Sequence, residues 1–132
     1  MLILALLAAV SPGPKAVSCS GETTTKEIGL NDTVDPFYRT FIINDAEKTW
    51  LLYSPSTGGT EPVCKAPSCS LNYGPLKLIG SEGKNRLALD REAGTFTEIV
   101  LTGSTAYPVL TVTKATCKPV PLPTIKNATR KF

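Results

Sequence analysis

Nine consecutive apolar residues, 2–10, are followed by Pro12, Gly13 and Pro14, then by the small-residue tripeptide Ala16-Val17-Ser18, with a cysteine directly after it at Cys19. A run of that length matches the apolar region of a signal peptide and is too short to cross a bilayer as a helix. The Pro-Gly-Pro break ends the run, and Ala16 and Ser18 stand where a signal peptidase reads small side chains. The pattern predicts a cleaved leader over residues 1–18 and a mature, secreted chain that begins at Cys19 and folds in an oxidising, extracellular compartment. The apolar run has no basic residue before it, a departure from the usual leader. A bacterial lipoprotein signal is the rival reading, but it would place the cysteine right after the apolar run, whereas residues 11–18 intervene here. No other stretch is apolar enough to span a membrane.

Four cysteines, Cys19, Cys64, Cys69 and Cys117, then set how a small domain is stapled. They allow three pairings. One closes Cys64 on Cys69 and ties Cys19 to Cys117 across the domain. Another makes two consecutive loops, Cys19 to Cys64 and Cys69 to Cys117, each opening with Cys-Ser and closing with Cys-Lys, as a duplicated half-domain would. Spacing alone does not choose between them. In the chain-entropy model the end-to-end bridge contributes about 4–5 kcal/mol and the short loop about 2 kcal/mol. A zinc site fits poorly, because the Cys64–Cys69 spacing is wide and an oxidising compartment disfavours free thiolates.

The chain contains no histidine. That removes Ser-His-Asp and Cys-His nucleophilic sites, histidine-based zinc sites and histidine general bases together. Carboxylate chemistry is the remaining enzymatic option, and Asp32, Asp35, Asp45, Glu47, Asp90 and Glu92 are its candidates. All of them sit in polar turns or at strand ends, where solvated or turn-capping roles are the ordinary expectation. The clusters around Asp32 and Asp45 lack the acidic periodicity of a calcium loop. Gly58-Gly59 lacks the lysine and helix of a phosphate loop. The expectation is a non-enzymatic protein with no cofactor and no metal.

Removing the leader takes Lys15 from the 14 basic residues, leaving 13 against 11 acidic and a formal charge of +2. The basic residues are scattered apart from Lys126, Arg130 and Lys131, which leaves no footprint for nucleic acid. Residues 19–118 are enough for one β-rich domain. Residues 119–132 read as a proline-rich basic tail, with Pro119, Pro121 and Pro123 favouring an extended, stiff segment that projects from the domain. The sequons at Asn31 and Asn127 predict glycosylation on exposed segments in a eukaryotic secretory pathway.

Residues 37–43 and 49–53 read as strands joined through the turn-like 44–48. From residue 75 onward the alternation is cleaner: Leu76 and Leu78, then Leu87 and Leu89, mark half-buried strands, and residues 96–102 and 109–116 complete a four-strand meander. Glycines at 80, 83, 94 and 103 supply the turns. With no helical period after the leader, the prediction is an all-β fold: a small disulfide-stapled antiparallel β-sandwich or small β-barrel of about seven or eight short strands. An immunoglobulin domain is excluded by spacing, because Trp50 lies 31 residues after Cys19 and the outer cysteines are 98 apart. Trp50 reads by default as a core aromatic.

By elimination the function expected is binding: a secreted effector, inhibitor or host-interaction factor that recognises an extracellular protein or glycan. Loops 55–62, 66–68 and 103–108 would carry the contacts, with Trp50, Tyr73 and Tyr107 as candidate contact residues if exposed. The run Trp50-Leu51-Leu52-Tyr53 followed by Cys64 loosely resembles secreted arthropod lipocalins, although the chain is much shorter and lacks their glycine-tryptophan opening. That resemblance implies an alternative function, a carrier of a small apolar ligand inside a barrel. A third alternative is a structural extracellular protein that associates with itself.

Overall fold

The computed structural model describes residues 13–126, so the expected glycosylation site Asn127 lies outside the described residues. Within them nine strands form one antiparallel sheet: β1 (Lys15–Glu27), β2 (Thr33–Asn44), β3 (Thr49–Tyr53), β4 (Thr60–Pro62), β5 (Ser70–Tyr73), β6 (Lys77–Glu82), β7 (Asn85–Asp90), β8 (Thr95–Gly103) and β9 (Pro108–Val120). Their spatial order is β4-β3-β2-β1-β9-β8-β7-β6-β5. The fold is all-β and disulfide-stapled as expected, and both the β2–β3 hairpin and the β6–β9 meander are present. It is a single curled half-barrel rather than a two-sheet sandwich, and it has nine strands rather than seven or eight. The strand assignment from sequence begins at residue 37 and leaves out β1, whose Thr23, Thr24 and Thr25 are polar. Yet threonine is a good strand former, and β1 is bonded along most of its length to β2 on one side and β9 on the other. The edge strands β4 and β5 are three and four residues long, too short to show alternation.

Alternation assigns each side chain to the concave or the convex face. Val17, Cys19, Phe37, Phe41, Ile43, Trp50, Leu89, Phe96 and Ala115 face inward and pack together. The curl has a local cause. Phe37, Gly21, Ala115 and Phe96 form one row across β2, β1, β9 and β8. On a flat sheet the two phenylalanines would stand three strand spacings apart, roughly 14 Å. Their rings instead stack at 5.5 Å between centroids and 8° between planes. The sheet folds over the two small residues between them. Phe41 and Trp50 complete the aromatic filling, with Trp50 set edge-on to both Phe41 and Phe96.

An odd number of alternating strands leaves the two edges, β4 and β5, running in the same direction. A hairpin pairs only antiparallel strands, so the connection over residues 63–69 cannot close the barrel with a turn and crosses the seam instead. The Cys64–Cys69 disulfide clips that crossing, and the Cys64 sulfur lies over Gly80 of β6, where a Cβ would approach it to 3.2 Å. The other disulfide joins Cys19 to Cys117, direct partners in the β1–β9 ladder. The pairing is therefore the short loop plus the end-to-end bridge, and the echo of two consecutive Cys-Ser to Cys-Lys loops has no structural counterpart.

The described part of the tail corrects the expectation of a projecting segment. After β9 ends at Val120, the chain returns over the convex face, where the Lys126 amide donates to the Gly58 carbonyl at 2.7 Å and the Tyr53 hydroxyl to that of Thr124 at 3.4 Å. This path crosses β1, β2 and β3. Ala16 and Ile42 point to that convex face, yet they are only 3% and 2% exposed.

Candidate functional site

The two ends of the half-barrel differ in chemistry. At the end where β1 begins, the β2–β3 turn carries Asp45 across the mouth of the sheet. Arg91, in the β7–β8 turn, donates to both carboxylate oxygens, from Nη1 at 2.7 Å and from Nη2 at 3.0 Å. The Tyr73 hydroxyl, on β5, donates to Oδ1 at 2.7 Å, and the Lys15 ammonium stands 4.0 Å away. The Arg91 hydrogen bonds, helped by that from Tyr73, hold the Asp45 carboxyl down at about 2. Burial, reinforced by the Asp45 carboxylate, pushes the Tyr73 phenol well above its ordinary range. Every group in this cluster is committed to another, so the cluster works as a clasp.

The other carboxylates singled out by sequence stand apart from it. Asp90 accepts from the amides of Glu92 and Ala93 and lies 3.8 Å from Lys77, so it caps the β7–β8 turn. The Asn44 side chain accepts from the Glu47 amide, again a capping role. Among the described residues no group of three or more histidine, cysteine or acidic side chains is arranged to hold a metal.

At the opposite end, β1, β2, β8 and β9 run past the aromatic core, and among the described residues no second layer covers them. The concave face there is polar: Thr23 bonds Thr113 at 2.8 Å, and Arg39 pairs with Glu98 at 3.9 Å while lying over the Phe37 ring. The convex face and the two end loops carry exposed apolar side chains among polar ones. Ile99 and Leu101 of β8 lie beside Val112 and Leu110 of β9. Ile28 and Leu30 in the β1–β2 loop are 68% and 65% exposed, and Tyr107 in the β8–β9 turn is 74% exposed. Glu27 pairs with Val109 at the base of these two loops, which makes the loops neighbours. A cleft of about 640 Å³ beside them is lined by Glu22, Lys26, Asp32 and Lys114, so charges of both signs border the apolar area.

The three candidate contact residues separate. Tyr107 belongs to the exposed end. Tyr73 is half-buried and its hydroxyl is spent on Asp45. Trp50, at 2% exposure, is a core residue and presents nothing to a partner; its indole Nε1 is buried with no hydrogen-bond acceptor among the described residues. Asn31 is exposed in the β1–β2 loop. Sequence reasoning missed Ile28 and Leu30, two isolated apolar residues in a polar stretch with no periodic signal to mark them.

Among the described residues no helix is long and apolar enough to cross a membrane. Comparison with known proteins found no match, whether to a family model, a curated protein or a solved structure.

Proposed function

We propose that the chain is an exported, non-enzymatic binding protein that recognises another extracellular protein through the far end of its four long strands. The observation that carries this reading is the concentration of exposed apolar side chains there: Ile28, Leu30, Val34, Ile99, Leu101 and Tyr107 all lie on this end. An apolar patch with a charged border is the usual anatomy of a protein contact surface. Two disulfides suit the extracellular compartment and make a rigid frame for such loops. The filled interior favours this function over carriage of a small apolar ligand, since Phe37, Phe41, Trp50 and Phe96 occupy the space a ligand would need. An apolar cleft at the clasp end, bordered by Val17, Ile43 and Leu89, measures about 220 Å³, below the roughly 300–1,000 Å³ of ordinary small-molecule sites.

A photo-reactive phenylalanine analogue placed at Tyr107, with Thr57 in the β3–β4 turn as the control position, tests the proposal in extracellular fluid. Discrete protein adducts are expected from position 107 and not from 57, and they should disappear in an Ile28→Ser, Leu30→Ser background. Equal labelling from both positions, or adducts indifferent to the serine changes, would overturn it. Adducts to glycan alone would move the reading to carbohydrate recognition.

A further inference from the structure

We propose that the leader is removed by a cut upstream of Lys15, so that the mature chain keeps residues 15–18 as the first part of β1. The inference rests on the reading of the apolar N-terminus as an export leader and relocates its processing site.

Cleavage before Cys19 would discard four residues that are bonded into the sheet. Lys15, Ala16, Val17 and Ser18 face Ile43, Ile42, Phe41 and Thr40 of β2, and the last three also face Val120, Pro119 and Lys118 of β9. Val17 packs against the aromatic core. Lys15 reaches Asp45 at the clasp. Without these residues β2 and β9 would lose the strand between them at this end, exposing Ile42 and Ile43, which are 2% and 3% exposed as they stand.

The small side chains that suggested a peptidase site have a packing explanation. Ala16 is buried on the convex face at 3% exposure, and Ser18, at 6%, shares a hydrogen-bond chain in which the Tyr38 hydroxyl donates to Ser18 Oγ at 3.1 Å and Ser18 Oγ meets Thr40 Oγ1 at 3.1 Å. Small side chains are also available upstream, at Ala8, Ala9, Ser11 and Gly13. The structure answers the lipoprotein rival as well. The Cys19 sulfur is bonded to Cys117 and is 0% exposed, so it has no thiol to give to a lipid.

The test is the N-terminus of the full-length chain after secretion from a eukaryotic host, read by N-terminal sequencing and intact mass after glycan removal. A first residue at or before Lys15, but after Met1, is expected. A first residue of Cys19 overturns the proposal and leaves the leader reading standing, whereas a secreted chain still beginning at Met1 overturns both. A second readout uses Val17→Asp. If residue 17 remains in the mature protein, this buried charge lowers the melting temperature of the secreted chain by at least about 10 °C or abolishes its secretion. An unchanged mass and an unchanged melting temperature would show that residue 17 leaves with the leader, which overturns the proposal.

Discussion

Asp45 and Arg91 lie 46 residues apart in sequence and form a two-bond ion pair, with the Tyr73 hydroxyl as a third donor to the same carboxylate. Through them the β2–β3 turn, the β7–β8 turn and the β5 edge are joined at one side chain. The clasp holds together a mouth that backbone hydrogen bonding leaves open. Asp45→Ala is expected to cost about 1–3 kcal/mol, because it strips Arg91 and Tyr73 of their shared acceptor, and Tyr73→Phe about 1 kcal/mol. The double variant should lose less than the sum of the two. Urea unfolding of all three variants checks this, and strict additivity would argue against a shared network.

The same carboxylate makes stability depend on acid. Asp45 titrates at about 2 in the fold against an ordinary value of 3.8. A depressed folded-state value means the stabilisation is complete above the unfolded value and is lost as pH falls from near 4 towards 2. Asp90 is also lowered, by the Ala93 and Glu92 amides, and acts in the same direction. Thermal melts of wild type and Asp45→Asn across pH 2–6 should therefore converge at the acid end, with the variant showing the shallower dependence. A constant gap between the two curves would contradict the assignment.

The two disulfides close loops of very different size, with sequence separations of 98 and 5. Loop entropy alone predicts a loss of about 4–5 kcal/mol for Cys19→Ala with Cys117→Ala, against about 2 kcal/mol for Cys64→Ala with Cys69→Ala. Denaturant midpoints of the two double variants give the comparison directly. A larger loss from the short loop would mean that the seam crossing, rather than the β1–β9 ladder, governs stability.

Gly21 sits where the sheet bends, and it has no room to grow. A Cβ at this position would overlap the Lys114 carbonyl oxygen and come within 2.6 Å of the Ala115 Cα. The obstacle is backbone of β9, which cannot rotate away as a side chain would. Gly21→Ala is expected to destabilise by roughly 2–3 kcal/mol, the upper range for overpacking, and to loosen the Phe37–Phe96 stack. Near-ultraviolet circular dichroism, which reports on packed aromatics, should weaken alongside the melting temperature.

Much of the fold is legible in the chain because β6 to β9 alternate apolar and polar residues between turns. Leu78, Leu89 and Phe96 announce their burial in this way. β1 hides itself, since Thr23, Thr24 and Thr25 look polar although a β-branched side chain suits a strand bonded on both sides. The clasp is unreadable for a different reason. Asp45, Tyr73 and Arg91 belong to separate elements, and only the curl over Gly21 and Ala115 brings them together. The exposed end is equally silent, because burial patterns reveal what folds inward and say little about Ile28 or Tyr107, which face out.

Ala16 and Val120, near the start of the first strand and at the end of the last, are ladder partners. The half-barrel thus has two breaks of opposite kind: between β9 and β1 the strands are bonded without a peptide link, and between β4 and β5 they are linked without backbone pairing. Exchanging the two breaks requires a short linker from Val120 to Lys15 and a new opening in residues 63–69, and it gives up the returning segment 121–126 with its bonds to Gly58 and Tyr53. Such a circular permutant would begin at one edge of the sheet and finish at the other, keeping every ladder in place.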